Sequence, residues 1–271
     1  MNSVTDHAFR LKRFILGAEK VRRTRFYCVG MAKSGTHSIH SMFSRNVAAA
    51  HEPQALSLIE KFFDRQENRI TAAEFHAWLV ARDRELSLEV DSSWFNVLIL
   101  DFLVREFPQA RFLLTIRDCY SWLNSEFKRV LRQHAQDWQR VKLREFIYKP
   151  AGAAYSPLEK ILQDAGLFPI EGYLARWTAH NEKVLAAIPA DRLLVVRTHE
   201  IRLRAFEIAD FARLPRHAVR LTRAYDFKNP VGRNLIHEFD RDFLEQKISQ
   251  HCRPLMAKFF PEIKSLDDAA L

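Results

Sequence analysis

Hydrophobic and polar positions along this chain alternate between two periods. Short runs of apolar, β-branched and aromatic residues predict strands over 25–30, 47–51, 87–91, 111–117 and 192–197. Between them, apolar residues recur at helical spacing and predict helices over 36–45, 54–65, 71–84, 95–106, 119–133, 171–188, 204–212 and 239–249. This alternation predicts the α/β class: a single domain over residues 1–271, with a central parallel β-sheet flanked by helices. No repeat or low-complexity run interrupts it.

Two segments stand apart. Residues 1–24 form a basic N-terminal segment whose Phe9, Leu11, Phe14 and Ile15 predict a helix packing one face on the domain; contact with a membrane or an acidic partner is the alternative. Residues 134–170 contain an irregular stretch from Tyr148 to Ile170 with Pro150, Gly152, Pro157, Gly166 and Pro169. With the basic residues Lys128, Arg129, Arg132, Arg140, Lys142 and Arg144 before it, this region is either a lid over an acceptor or a surface excursion.

The richest chemistry lies at the first strand-to-helix junction. Phe26 to Val29 reads as a buried strand, Gly30 to Thr36 as a loop with two glycines, a lysine and two hydroxyls, and Ile39, Met42 and Phe43 as a helix face. Such a junction aims loop amides and a helix N-terminus at an anion, so it predicts a phosphate cradle. A magnesium-dependent nucleotide hydrolase would place Lys and then Ser or Thr after the second glycine. Here Thr36 and His37 follow Gly35, and the lysine is Lys33, inside the loop. That order suits an anion that needs no metal.

The segment Ala32-Lys33-Ser34-Gly35-Thr36-His37-Ser38 resembles the 5′-phosphosulfate loop of the sulfotransferases that use 3′-phosphoadenosine 5′-phosphosulfate (PAPS). It departs at Ala32, where proline is common, and at His37, which either binds phosphate through its ring or is simply tolerated. Arg111-Phe-Leu-Leu-Thr-Ile-Arg117, followed by Ser125, resembles the 3′-phosphate element of that family. A guanidinium there holds phosphate oxygens bidentately, and a hydroxyl adds a donor. Arg192 to Ile201, after Trp177, His180 and Asn181, resembles the late strand, and Lys228, Gly232 and Arg233 resemble a basic loop over the 3′-phosphate.

The resemblance implies a P-loop nucleotide-hydrolase-like sulfotransferase fold and transfer of a sulfuryl group from PAPS, without metal, to a hydroxyl or, second, an amine. Sulfuryl transfer needs a cation at the leaving oxygen and a base at the acceptor. Lys33 is the candidate cation. Glu52, in Glu52-Pro53, resembles the base of glycan sulfotransferases, and His51 is the second candidate. Asp91-Ser92-Ser93 stands where those enzymes carry a helper lysine, so Asp91 is either an acceptor contact or, with the serines, part of a helix cap. Trp94, Trp122 and Trp138 are candidate pocket walls or core residues.

A net charge of +9 is suited to a polyanionic nucleotide but carries no nucleic-acid motif. Cys28, Cys119 and Cys252 give no disulfide framework and no metal-ligand spacing. No membrane span or signal core is legible, so the expectation is a cytoplasmic enzyme. The competing assignments are a P-loop kinase or nucleotide hydrolase, and a non-catalytic nucleotide-binding protein of the same fold. The acceptor, small molecule, lipid or glycan, and the oligomeric state are not legible in the sequence.

Overall fold

In the computed structural model, residues 22–45, 47–132, 137–149, 154–224 and 234–270 are described. Most of the basic N-terminal segment and Lys228, Gly232 and Arg233 lie outside them. Five strands form one sheet: β1 (Phe26–Cys28), β2 (Ala49–His51), β3 (Val90–Ser92), β4 (Arg111–Ile116) and β5 (Leu193–Arg197). Their order is β2-β3-β1-β4-β5, and every pairing is parallel. Each predicted strand is present.

The helices are α1 (Thr36–Phe43), α2 (Ala55–Gln66), α3 (Ala72–Leu86), α4 (Leu100–Glu106), α5 (Cys119–Arg132), α6 (Trp138–Tyr148), α7 (Lys160–Asp164), α8 (Ile170–Ala187), α9 (Ala205–Phe211) and α10 (Arg241–Phe259). Alternation along β1 sorts the layers. Phe26 and Cys28 pack with Ile39, Met42 and Phe43 of α1 on one face. Tyr27 and Val29 pack on the other face with Leu58 and Ile59 of α2 and Leu103 of α4.

The structure refines three expectations. The predicted helix over 95–106 is two pieces, because Ser93 accepts a hydrogen bond from the Phe95 amide and starts a 3-10 turn at Trp94–Ile99 before α4. The helix expected to end at 249 runs to Phe259 through Pro254, held by buried Ile248, Cys252, Leu255 and Met256. Residues 154–170 of the stretch from Tyr148 to Ile170 hold more regular structure than their prolines suggest, with a 3-10 turn at Pro157–Glu159 and α7. Ser156 and Glu159 form a capping box with Pro157 inside the first turn, where a missing N–H costs nothing.

The register positions the site. Cys28, Ser92 and His51 are level across the sheet, so the loops after β1, β2 and β3 leave from one edge. Ile116 is level with Arg197, so Arg117 and Thr198 leave from that edge too. The loop after the central strand β1 thus sits at the carboxyl ends of the strands, where ligands bind in open α/β sheets.

Candidate active site

Close packing shapes the loop between β1 and α1. A Cβ on Gly30 would lie 2.0 Å from Thr115 Oγ1 and 2.6 Å from the Thr115 carbonyl oxygen. Gly35 has φ 107°, a left-handed conformation that glycine adopts freely. Lys33 also has positive φ, at 67°. Ser34 Oγ donates to the Met31 carbonyl at 2.8 Å and lies 3.0 Å from Thr115 Oγ1. Trp122 Nε1 donates to the Ala32 carbonyl at 2.9 Å. Thr198 Oγ1 sits 2.7 Å from the Ser34 carbonyl and 3.1 Å from that of Ile116. The α1 N-terminus has no side-chain cap and no acidic residue in its first turn. Its amides remain for an anion, which the helix dipole favours. Ser38 is buried in α1.

Arg117, at the end of β4, donates from Nε to Ser121 Oγ at 2.9 Å, and its Nη1 lies 3.5 Å from the Lys33 carbonyl. Ser121 in turn hydrogen-bonds Asp118. The hydroxyl that touches Arg117 is therefore Ser121, four residues on in α5. Ser125 is the next residue along the same face and is buried. Sequence reading missed Ser121 and Thr198; the one available signal was helical spacing from Arg117.

On the opposite side, the Glu52 amide bonds the Ser92 carbonyl at 3.1 Å, and Glu52 and Gln54 both have φ 49°. Arg82 donates to the Pro53 carbonyl at 2.8 Å and lies 3.6 Å from buried Asp91. Asn96 Nδ2 donates to Asp91 at 3.1 Å. Asp91 thus braces the Glu52-Pro53 turn from inside, and Ser93 is the cap. His51 Nε2 lies 3.2 Å from Thr36 Oγ1 and 4.0 Å from a Glu52 oxygen. His37 does not stand alone: its Nδ1 is 3.3 Å from Ser41 Oγ and its ring is 5.2 Å from that of His51. Of the three tryptophans, Trp122 is buried, Trp94 packs on Phe95 at 4.2 Å, and Trp138 is exposed.

Charge separates the two base candidates. Burial, then the neighbouring His37, His40 and Arg140, pulls His51 down to about 3, so it is neutral at ordinary pH. Burial pushes the Glu52 carboxyl above the usual glutamate range, with Arg140 and Arg129 opposing. Burial lowers the Lys33 ammonium; Glu126 opposes that, and Arg117, Arg129 and Arg132 reinforce it. Glu126 is fully buried and accepts from Arg129 Nε at 2.7 Å and from Tyr148 OH at 2.9 Å. The Glu126–Arg129 pair thus acts electrostatically on both Lys33 and Glu52.

Residues 26–200, well over half of the 271, match the sulfotransferase domain family. The chain belongs to the sulfotransferase family. A sulfotransferase from Alicyclobacillus acidocaldarius is similar in fold, with a TM-score of 0.51 at 16% identity over 88% of this chain and 96% of that one. The sulfotransferase domain of the olefin synthase from Synechococcus PCC 7002 aligns with a TM-score of 0.44 at 17% identity, over 84% of this chain and 85% of that one. No curated protein matched the sequence. Among the described residues of this sulfotransferase, no cluster of His, Cys, Asp or Glu is arranged to hold a metal ion. No helix among them is long and apolar enough to cross a membrane.

Proposed function

We propose that this sulfotransferase moves the sulfuryl group of PAPS onto an acceptor hydroxyl by in-line displacement. The carrying observation is the convergence of Lys33, an uncapped helix N-terminus and Arg117 on one loop, with Glu52 across from them. The residues fit the donor. The glycine-shaped loop would offer a phosphosulfate the uncapped amides of Thr36 to Ser38, and Arg117, held by Ser121, would with Ser125 offer donors to a second phosphate. Lys228, Gly232 and Arg233 complete the proposed nucleotide contacts by resemblance. When bound, PAPS supplies an activated sulfuryl group.

Glu52 takes the proton from the acceptor hydroxyl as its oxygen bonds to sulfur. Lys33 stabilises the charge left on the bridging oxygen as its bond to sulfur breaks and the electron pair stays with the phosphate. A base works best with a pKa near the working pH. The raised Glu52 carboxyl meets that condition better than His51, held at about 3. We assign His51 to holding Thr36 and the turn. The basic residues of α6, which include Arg140 acting on both Glu52 and His51, favour the lid role for the 134–170 region.

Calorimetry tests the donor. The product 3′-phosphoadenosine 5′-phosphate is titrated without metal, beside ATP with Mg²⁺. The expected result is metal-free binding of the bisphosphate, weakened about ten- to a hundred-fold by Arg117→Ala, the worth of charge-assisted hydrogen bonds. A preference for Mg-ATP would refute PAPS as donor and move the case to a kinase.

A further inference from the structure

The loop between β1 and α1 has its carbonyl oxygens engaged by side-chain donors. His180 Nε2 donates to the Val29 carbonyl at 2.8 Å and Ser34 Oγ to that of Met31 at 2.8 Å. Trp122 Nε1 donates to that of Ala32 at 2.9 Å and Ser92 Oγ to that of Thr36 at 2.6 Å. A carbonyl oxygen repels an anion, so a loop that receives one must turn its carbonyls away and satisfy them elsewhere. Thr198 differs from these donors. Its one hydroxyl lies 2.7 Å from the Ser34 carbonyl and 3.1 Å from the Ile116 carbonyl.

Those two carbonyls belong to different anion-binding elements. The Ser34 carbonyl shares a rigid peptide plane with the N–H of Gly35, the residue that opens α1. The Ile116 carbonyl shares one with the N–H of Arg117. Holding a carbonyl fixes its plane, and a trans peptide then aims the N–H the opposite way. Trp177 Nε1 donates to the carbonyl of Arg117 itself at 3.1 Å. The peptide planes on both sides of the Arg117 Cα are therefore held, one by Thr198 and one by Trp177.

The fold delivers Thr198 to this position. It follows the edge strand β5, with β4 between it and β1. It opens a 3-10 turn, Thr198–Glu200, that packs on the loop: a Cβ on Gly35 would lie 3.6 Å from Thr198 Cγ2 and 2.4 Å from Ile201 Cδ1. Ser34 Oγ and Thr115 Oγ1, 3.0 Å apart, also tie the loop to β4, but through the Ser34 side chain. Thr198 acts on the backbone plane. A hydroxyl has one proton, so it serves two carbonyls only while both stand close to it at once. The bond is thus sensitive to the separation of the two elements.

We propose that Thr198 is a positioning residue for the donor: its hydroxyl holds the phosphosulfate loop and the Arg117 element at the separation that a nucleotide with two phosphate groups requires. This rests on the sulfotransfer reading above. Thr198 touches neither phosphate and takes no part in bond making.

The test titrates the full chain, without metal, with 3′-phosphoadenosine 5′-phosphate and with adenosine 5′-phosphate. The readout is the ratio of the two affinities, which measures how well both elements are engaged together. Thr198→Val is expected to reduce the wild-type ratio about five-fold or more, the worth of one ordinary hydrogen bond. Thr198→Ser, which keeps the hydroxyl, is expected to restore it to within about two-fold. Thr198→Ala, which places no methyl against the carbonyls, repeats the measurement if Thr198→Val does not fold. An unchanged ratio, whether both affinities stay or fall together, would show a merely structural residue and overturn the proposal. A ratio still low in Thr198→Ser would assign the effect to the methyl contact with Gly35 and overturn it too. Amide hydrogen exchange of the ligand-free protein reads the tie without nucleotide. The hydroxyl-free variant is expected to exchange faster than wild type in both the 30–36 and the 116–118 segments, and a change in one segment alone or in neither would overturn the tie. Failure of the wild type to prefer the bisphosphate would count against the donor assignment, and the exchange result still decides the role of Thr198.

Discussion

Replacing Glu126 by Gln tests whether the charge balance beside Lys33 is real. The carboxylate has no exposed surface and is held by Arg129 and by Tyr148 OH at 2.9 Å. The Arg129 side chain is only 20% exposed, and burial alone would lower its pKa; Glu126 more than reverses that. The substitution leaves a buried guanidinium facing a neutral amide. Removing one partner of a buried pair costs about 3–5 kcal/mol. For a chain of this size that is a drop in melting temperature of roughly 6–20 °C. Glu126 is also the anion that holds the Lys33 pKa up. Its loss shifts the alkaline limb of turnover, where Lys33 loses its proton, to lower pH. Denaturant melts and a pH–rate profile of Glu126→Gln read both effects. The double variant Glu126→Leu/Arg129→Met is expected to recover most of the stability, because it removes both charges together. A loss below about 1 kcal/mol, or an unmoved alkaline limb, would refute the argument.

Glu52→Gln is expected to cut turnover by about 10²–10⁴-fold, the usual worth of a general base, with bisphosphate affinity unchanged by calorimetry. Because the folded Glu52 pKa is raised, its protonated form favours the fold at low pH and that advantage is lost as pH rises through the folded value. Glu52→Gln should therefore gain stability over wild type in melts at about pH 8 and show no gain at about pH 4. Gly30→Ala should cost about 3 kcal/mol in denaturant melts, and adding Thr115→Ala should not rescue it, because the Thr115 carbonyl stays 2.6 Å from the new Cβ. His51 and His180 are both held at about 3 by burial, so the unfolded chain binds their protons first as pH falls below the ordinary histidine range. Stability should fall with acid over that window, and His51→Gln should reduce the slope by about 1.4 kcal/mol per pH unit, read from melts between about pH 6 and 4.

The parts of this fold that were legible in the sequence are those whose signal is local. Phe26 to Val29 before a glycine loop and Ile39, Met42 and Phe43 after it mark strand, turn and helix because each step uses a different period. Strand order was not legible: β1 lies between β3 and β4 because both of its faces are apolar, and nothing in its own three residues names its neighbours. The region after α5 misled for a chemical reason. Its prolines read as breakers, but Pro157 occupies a first-turn position that tolerates it. Within the site, Lys33, Arg117 and Glu52 carried recognisable neighbours. Ser121, Thr198 and the Glu126–Arg129 pair did not, since they are defined by what lies across from them.

The proposed site joins two opposite electrostatic requirements. The donor loop must present positive charge to a polyanion, and Lys33 and Arg117 do so beside Arg129 and Arg132. A base must keep negative charge available a short distance away, and the same cations would pull the Glu52 pKa down. Burial of Glu52 outweighs that pull. Burial of Glu126 against Arg129 then neutralises one cation between the two centres and ties it, through Tyr148, to α6.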